Sequence, residues 1–151
     1  MAARPTFSIE VADRDGVDVV TIAGIIDENA DLAPLSELGA RAIEVNLRGV
    51  RRINSFGVRT WIDAVRRIAP SAKLTFVQCP PPVVDQCNMV SGFLGHGTLT
   101  SFFAPMVCAE CDEQIDQLFE TAACRANGGK LPETRCPRCG RACASGCCAR
   151  C

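Results

Sequence analysis

Residues 43–65 read IEVNLRGVRRINSFGVRTWIDAV, and this stretch contains the two periodicities that decide the fold. Ile43, Val45 and Leu47 alternate with polar residues, which is the period of a half-buried β-strand. From Ser55 onwards the apolar residues recur on one face at helical spacing, namely Val58, Trp61, Ile62, Val65 and Ile68. The stretch therefore predicts a strand over 42–47 and an amphipathic helix over 55–69.

The flanking sequence extends this alternation of strands and helices in both directions. Further strands are predicted at 6–11, 17–23, 74–79 and 99–103, with a turn at Asp15-Gly16 between the first two. Leu32, Leu35 and Leu38 predict a short first helix, and the prolines at 80–82 open a third. The order predicts an α/β fold, in which helices pack on a mostly parallel or mixed sheet.

The length and the cysteines predict a second, smaller unit. A chain of 151 residues accommodates one domain of roughly 100 to 150 residues and a small appendage. Of the 11 cysteines, only Cys79 and Cys87 precede position 108. We therefore expect a first domain over 1–106 and a Cys-rich unit over 107–151.

The charge and hydropathy of the chain exclude several classes of partner. Lys plus Arg number 16 and Asp plus Glu 17, so the net charge of −1 creates no global field for nucleic acid or anionic membrane. The sequence has no run of about 18 apolar residues, which a membrane span would require, and the first residues lack the apolar segment of a signal peptide. We expect a cytoplasmic protein, in which closely spaced cysteines are typical of metal ligands.

Three segments resemble the STAS domain, the fold of the anti-sigma-factor antagonists: VTIAGIID at 20–27, the stretch at 43–65, and VQCPPPVVDQCNMVSGF at 77–93. The resemblance covers roughly the first 105 residues and implies a STAS-like mixed sheet packed with helices. In that family a serine or threonine just before the second helix is phosphorylated, and Ser55 matches it. The resemblance implies a non-catalytic regulatory module whose unmodified form binds a kinase-type anti-sigma factor, and which phosphorylation releases.

The residues around Ser55 form the predicted partner surface. Asn54 or Ser55 caps the helix, and a phosphate there would meet free backbone N–H groups and the positive end of the helix dipole. It would add up to about two negative charges to a contact surface. The rest of the predicted surface comprises Asn54, Phe56, Gly57, Arg51, Arg52 and Arg59.

Two features of this surface leave its role open. Asp63 is the only acid between positions 48 and 67, so the arginines there form either a solvated face or a docking surface for an acidic protein. The family's usual aspartate before the serine is Asn54 here, and its usual small residue after it is Phe56. These departures also fit a phosphorylation-independent STAS subunit of a transporter or scaffold.

Cys108, Cys111, Cys136 and Cys139 form two C-x-x-C knuckles that are typical of a zinc ribbon. Four thiolates complete the tetrahedral shell of Zn²⁺, which predicts a structural site with no open position for substrate. Gly140 suits the positive-φ turn of the second knuckle. The segment 112–120 between them is compatible with a helix or with a ribbon hairpin.

The remaining cysteines of the second unit have several interpretations. Cys143, Cys147, Cys148 and Cys151 follow the second knuckle closely and are compatible with ligand exchange, a second metal, a redox sensor or a tail of reduced thiols. Cys124 lies between the knuckles and belongs to neither.

Two other classes of function compete with a protein-binding module. A nucleic-acid-associated zinc ribbon would use a basic segment made of Arg125, Lys130, Arg135, Arg138, Arg141 and Arg150, but no aromatic residue for base stacking follows Phe119. We find no nucleophile with a base and no paired carboxylates, so we expect neither an enzyme nor a small-molecule substrate.

Overall fold

Two β-sheets and four helices make up the part of the chain that this computed structural model describes, residues 6–39 and 41–145. The strands are β1 (Ser8–Arg14), β2 (Val17–Ile26), β3 (Ala42–Ile53), β4 (Lys73–Val77), β5 (Thr98–Leu99), β6 (Ser101–Cys108), β7 (Gln114–Glu120), β8 (Thr134–Arg135) and β9 (Ala142–Ser145). The helices are α1 (Ala33–Ser36), α2 (Ser55–Arg66), α3 (Pro81–Met89) and α4 (Thr121–Ala126).

The first sheet has the strand order β1-β2-β3-β4-β5. β1 and β2 form an antiparallel hairpin, whereas the pairs β2–β3, β3–β4 and β4–β5 are parallel. The hairpin turns at Asp15 and Gly16, which both have positive φ, as the tight turns that match strand twist require. The predicted α/β fold with a mixed sheet packed with helices is confirmed.

β3 is twice as long as the strand predicted over 42–47. It continues to Ile53 because β2 remains paired with it, with Gly24 opposite Val50 and Ile26 opposite Ile53. The two backbones approach closely at Gly49, where an added Cβ would lie 2.6 Å from the Ala23 Cβ. The arginine-rich segment before α2 is therefore strand rather than loop.

The core lies between the first sheet and its helices. Trp61 of α2 is fully buried, stacks on Phe93 with ring centroids 5.6 Å apart, and contacts Phe76 of β4 at 5.9 Å. Its Nε1 donates a 2.8 Å hydrogen bond to the Phe93 carbonyl, so its polar atom is satisfied inside the core. This packing fixes α2, and with it the Ser55 turn, against the sheet.

The strand predicted over 99–103 is divided between the two sheets. Thr98–Leu99 closes the first sheet, and Ser101–Cys108 belongs to a second, antiparallel sheet of order β7-β6-β9-β8. Phe102, Ala104 and Met106 of β6 are part of the same apolar cluster as the core of the first sheet. The expected division at 106 therefore lies inside β6.

The segment that the sequence left undecided, 112–120, contains strand β7. β7 pairs with β6 in a hairpin that brings Phe119 opposite Phe102, with ring centroids 6.0 Å apart. α4 follows directly and was not predicted. Among the described residues, no helix has the length and apolar character that crossing a bilayer requires.

Candidate metal centre and partner surface

α2 begins at a turn that is organised by Asn54. Asn54 Oδ1 accepts a 2.7 Å hydrogen bond from the Gly57 backbone N–H, which makes Asn54 the N-cap and Ser55 the first helical residue. Its Nδ2 donates to Glu28 Oε2 at 3.1 Å, and its backbone N–H donates to the Ile26 carbonyl at 3.2 Å. One residue thus ties the helix to the end of β2 and to the loop that follows it.

Gly57 is required by the close approach of α2 to β2. It is buried, and a Cβ at this position would overlap the carbonyl oxygen of Ile26. Because that oxygen already accepts the Asn54 N–H, neither backbone can move independently. The Ser-x-Gly sequence therefore has a structural reason at its third position.

The first turn of α2 presents an apolar side chain and a hydroxyl to solvent. Ser55 is exposed, and Phe56 is 65% exposed, although a phenylalanine ordinarily buries its ring. Arg51, Arg52 and Arg59 are also exposed, the first two on β3 and the third on α2. The surface predicted from the sequence is thus accessible, apart from the buried Gly57 and the half-buried Asn54.

The two C-x-x-C knuckles are built alike, each at the turn between two antiparallel strands. In the first, the Asp112 N–H donates to the Cys108 carbonyl at 2.9 Å, and in the second the Gly140 N–H donates to the Cys136 carbonyl at 2.8 Å. Asp112 and Gly140 both have positive φ, at 56° and 73°. The sequence indicated this turn at Gly140 but gave no sign of it at Asp112.

The four knuckle sulfurs converge, with all four atoms within 4.8 Å of one another. Cys108 Sγ lies 3.4 Å from Cys139 Sγ, and Cys111 Sγ lies 3.6 Å from Cys136 Sγ, so each short contact joins one knuckle to the other. Tetrahedral thiolates at about 2.3 Å from Zn²⁺ would be about 3.8 Å apart. The cluster is compatible with a metal site, and its donors are the soft ligands that zinc accepts.

Backbone N–H groups prepare the first cysteine of each knuckle to be a thiolate. Those of Cys111 and Glu110 lower the pKa of Cys108 to about 6, and those of Cys139 and Arg138 lower the pKa of Cys136. The Glu113 N–H favours the Cys111 thiolate, but burial and the neighbouring thiols raise its pKa. A bound cation would displace the protons that the thiols of the cluster retain.

Two ion pairs also join the knuckles at the surface. Arg138 contacts Glu113 at 3.3 Å, and Arg141 contacts Glu110 at 4.0 Å. Both pairs are largely exposed and contribute little stability. Arg138 and Arg141 are two of the six basic residues that a nucleic-acid surface would use. An acid beside each of them reduces the positive charge that such a surface would offer to phosphates.

Cys143 lies next to the cluster, on β9. It is half-buried and directly opposite Cys108 of β6, and its pKa is raised by burial and by the charges of Cys108 and Cys136. Cys124 is buried on α4. Cys147, Cys148 and Cys151 lie outside the described residues.

The chain has a counterpart among solved structures. It is similar to an anti-sigma factor antagonist from Mycobacterium paratuberculosis, at a TM-score of 0.49 and 21% sequence identity, over 59% of this chain and 81% of that chain. No protein-family model and no curated protein matches the chain.

Proposed function

We propose that this chain is a non-catalytic regulatory module of the STAS type, which binds another protein through the first turn of α2 and contains a structural zinc centre. The observation that carries the proposal is the exposure of Ser55 and Phe56 at a helix start that Asn54 holds rigidly against the sheet. A fixed, exposed aromatic side chain is the kind of group that dominates binding energy at protein interfaces.

The sequence resemblance supports the identity of the partner. The STAS-like segments at 20–27, 43–65 and 77–93 correspond to most of β2, to β3 with α2, and to the end of β4 with all of α3. In that family the partner is a kinase-type anti-sigma factor. The exposed Arg51, Arg52 and Arg59 give this surface a positive charge that would steer an acidic partner towards it.

Phosphorylation of Ser55 would act through charge at this contact. A phosphate on the first residue of α2 is compatible with the helix, because the N-terminal N–H groups and the dipole favour an anion there. On a surface in contact with an acidic partner, up to about two added negative charges would oppose binding. The switch requires no change of fold.

Binding of Ser55 variants to an acidic kinase-type anti-sigma factor tests this proposal. We expect Ser55→Asp to weaken binding by at least about tenfold, since it places a charge at the contact, while Ser55→Ala binds like the parent. Ser71→Asp is the matched control, because Ser71 is an exposed serine beyond the other end of α2. Equal binding by both Ser55 variants would favour the phosphorylation-independent scaffold.

A second pair of variants separates the contact surface from the switch. We expect Phe56→Ala to weaken binding by about tenfold or more, because truncation removes an anchor of the size that makes interface hot spots. Val11→Ala is the control, as Val11 is another exposed apolar residue, on β1. If Phe56→Ala binds like the parent, the partner surface lies elsewhere.

The zinc centre is proposed on the ligands Cys108, Cys111, Cys136 and Cys139. It is supported by the convergence of the four sulfurs and by the backbone N–H groups directed at Cys108 and Cys136. With four thiolates the metal has no open position, so its role would be to hold the two knuckles together. Native mass spectrometry of the full chain should report one zinc, and a metal-free protein would contradict the assignment.

A further inference from the structure

A fifth thiol stands beside the four-cysteine cluster. Cys143 on β9 is directly opposite Cys108 on β6, and its thiol interacts with those of Cys108 and Cys136. Opposed residues of an antiparallel pair have Cα atoms about 4.5 to 5.5 Å apart and side chains on the same face. Strand pairing therefore places Cys143 beside Cys108, just outside the group of four sulfurs that lie within 4.8 Å of one another.

Cys139 is the member of the cluster that is most open to solvent. Cys108 and Cys136 are buried and Cys111 is half-buried, whereas Cys139 is exposed in the turn of the second knuckle. Cys143 is half-buried and lies on a strand. Zn²⁺ has no geometric preference from its d electrons, so the protein alone decides which four thiolates it keeps.

We propose that Cys143 is a reserve ligand of the metal centre, which takes the place of Cys139 when that sulfur is lost or blocked. The inference rests on the proposed zinc centre and adds a fifth donor to it. In the exchange the Zn–S bond to Cys139 breaks and a Zn–S bond to Cys143 forms, while the proton of the Cys143 thiol passes to the released Cys139 thiolate. When Cys139 is absent or alkylated, that proton passes to solvent.

Metal binding by a set of serine variants tests the inference. All variants carry Cys147→Ser, Cys148→Ser and Cys151→Ser, so that no thiol of the C-terminal residues can substitute. In this background we compare C139S, C143S, C139S/C143S and C136S by zinc stoichiometry, by competition with a chromophoric chelator, and by the thiolate-to-cobalt charge-transfer absorption of Co²⁺-loaded protein.

We expect C139S to bind one zinc within about tenfold of the background affinity and to keep a four-thiolate cobalt spectrum. C139S/C143S should bind about a hundredfold more weakly than C139S, because only three thiolates remain. C136S should lose metal even with Cys143 present, since Cys136 is a buried member of the cluster. A C139S variant that loses zinc as completely as C139S/C143S would overturn the inference.

Two further measurements show whether a loss of zinc means that Cys143 is not a reserve ligand or that the zinc centre itself is absent. Absence of zinc from the background protein would contradict the zinc centre itself, whereas loss in C139S alone contradicts only the reserve ligand. In the zinc-loaded background protein, iodoacetamide should modify the exposed Cys139 first, and the singly modified species should keep its zinc in native mass spectra. Release of zinc with the first modification would count against Cys143.

Discussion

Asn54 Nδ2 donates a hydrogen bond to Glu28 Oε2 at 3.1 Å, while the oxygen of the same amide accepts from the Gly57 N–H at 2.7 Å. Two hydrogen bonds to the Glu28 carboxylate lower its pKa: the larger effect comes from the Glu28 backbone N–H and the smaller from Asn54. The amide serves as cap through its oxygen and as donor through its nitrogen at the same time. An aspartate at position 54 would instead meet the Glu28 carboxylate as a like charge.

We predict that Asn54→Ala lowers the free energy of unfolding by about 1 kcal/mol, which is the usual value of a lost N-cap. Asn54→Asp keeps the acceptor for Gly57 but is destabilised by repulsion from Glu28, and Glu28→Gln should relieve this effect in the double variant. Urea unfolding of the three variants measures these differences. If adding Glu28→Gln does not change the stability of the Asn54→Asp protein, the two side chains are not coupled.

Gly57→Ala should be more damaging than its size suggests. The new Cβ would overlap the Ile26 carbonyl oxygen, and a backbone atom in a sheet cannot move aside as a flexible side chain can. We expect a loss of about 1 to 3 kcal/mol in the free energy of unfolding, as for other overpacked sites. Gly39→Ala is the matched control, since nothing lies within 4 Å of its added Cβ and its φ is not in the positive range. Similar losses in both variants would show that the α2 contact is not the cause.

The first sheet and its helices could be predicted because their signals are local. Ile43, Val45 and Leu47 are all buried in the observed β3, and the helix predicted from 55 begins at Ser55. The extension of β3 to Ile53 was not visible, because arginines interrupt its alternation and pairing with β2 sustains it. That pairing is a non-local interaction, which periodicity within a segment does not report.

β7 remained undecided because its apolar residues follow two periods at once. Ile115, Leu118 and Phe119 have helical spacing, yet in the strand Phe119 is buried while Leu118 faces solvent. Gln117 occupies an inward position where an apolar residue would have revealed the alternation. Pairing with β6 decides the structure here.

The spacing of the cysteines was enough to predict the two knuckles. It did not reveal that Cys143 lies beside Cys108. Cys143 differs from the other surplus cysteines only through the pairing of β9 with β6, which joins residues 35 positions apart in the chain, since Cys108 is opposite Cys143. The side-chain contacts of Asn54 with Glu28 were invisible for the same reason.

If the proposed zinc is bound, its removal should unfold the edge of the second sheet and spare the first. β8 and β9 contain two and four residues and lie beside the cluster, whereas β6 is also held by Phe102, Ala104 and Met106 in the common core. We expect a strong chelator to make amides of 134–145 exchange much faster with deuterium, because metal binding and folding of such small units are linked. Amides of β3 and β4 should keep their protection.

Hydrogen exchange measured by mass spectrometry before and after chelation checks this prediction, and Trp61 provides an independent reporter. Trp61 is fully buried in the first core, so its emission should change little when the metal is removed. Unchanged exchange of 134–145 after verified metal removal would contradict a structural role for zinc. A large red shift of Trp61 emission would instead indicate that both sheets unfold together.

The two cysteines of the first unit should differ in reactivity from ordinary thiols. Burial raises the pKa of Cys87 to about 11 and raises that of Cys79 further, helped in Cys79 by the charge of Cys87. The thiolate is the reactive form, so alkylation of Cys87 should increase about tenfold for each pH unit between about 7 and 10. An unperturbed thiol would be half ionised at its usual pKa of about 8.5, and its rate would level off about one pH unit higher. Peptide mapping after short iodoacetamide pulses at stepped pH distinguishes the two curves.

Cys79 has no exposed surface and should remain unmodified in the folded protein. Modification of Cys79 in parallel with Cys87 would mean that β4 and α3 separate far more readily than their packing implies.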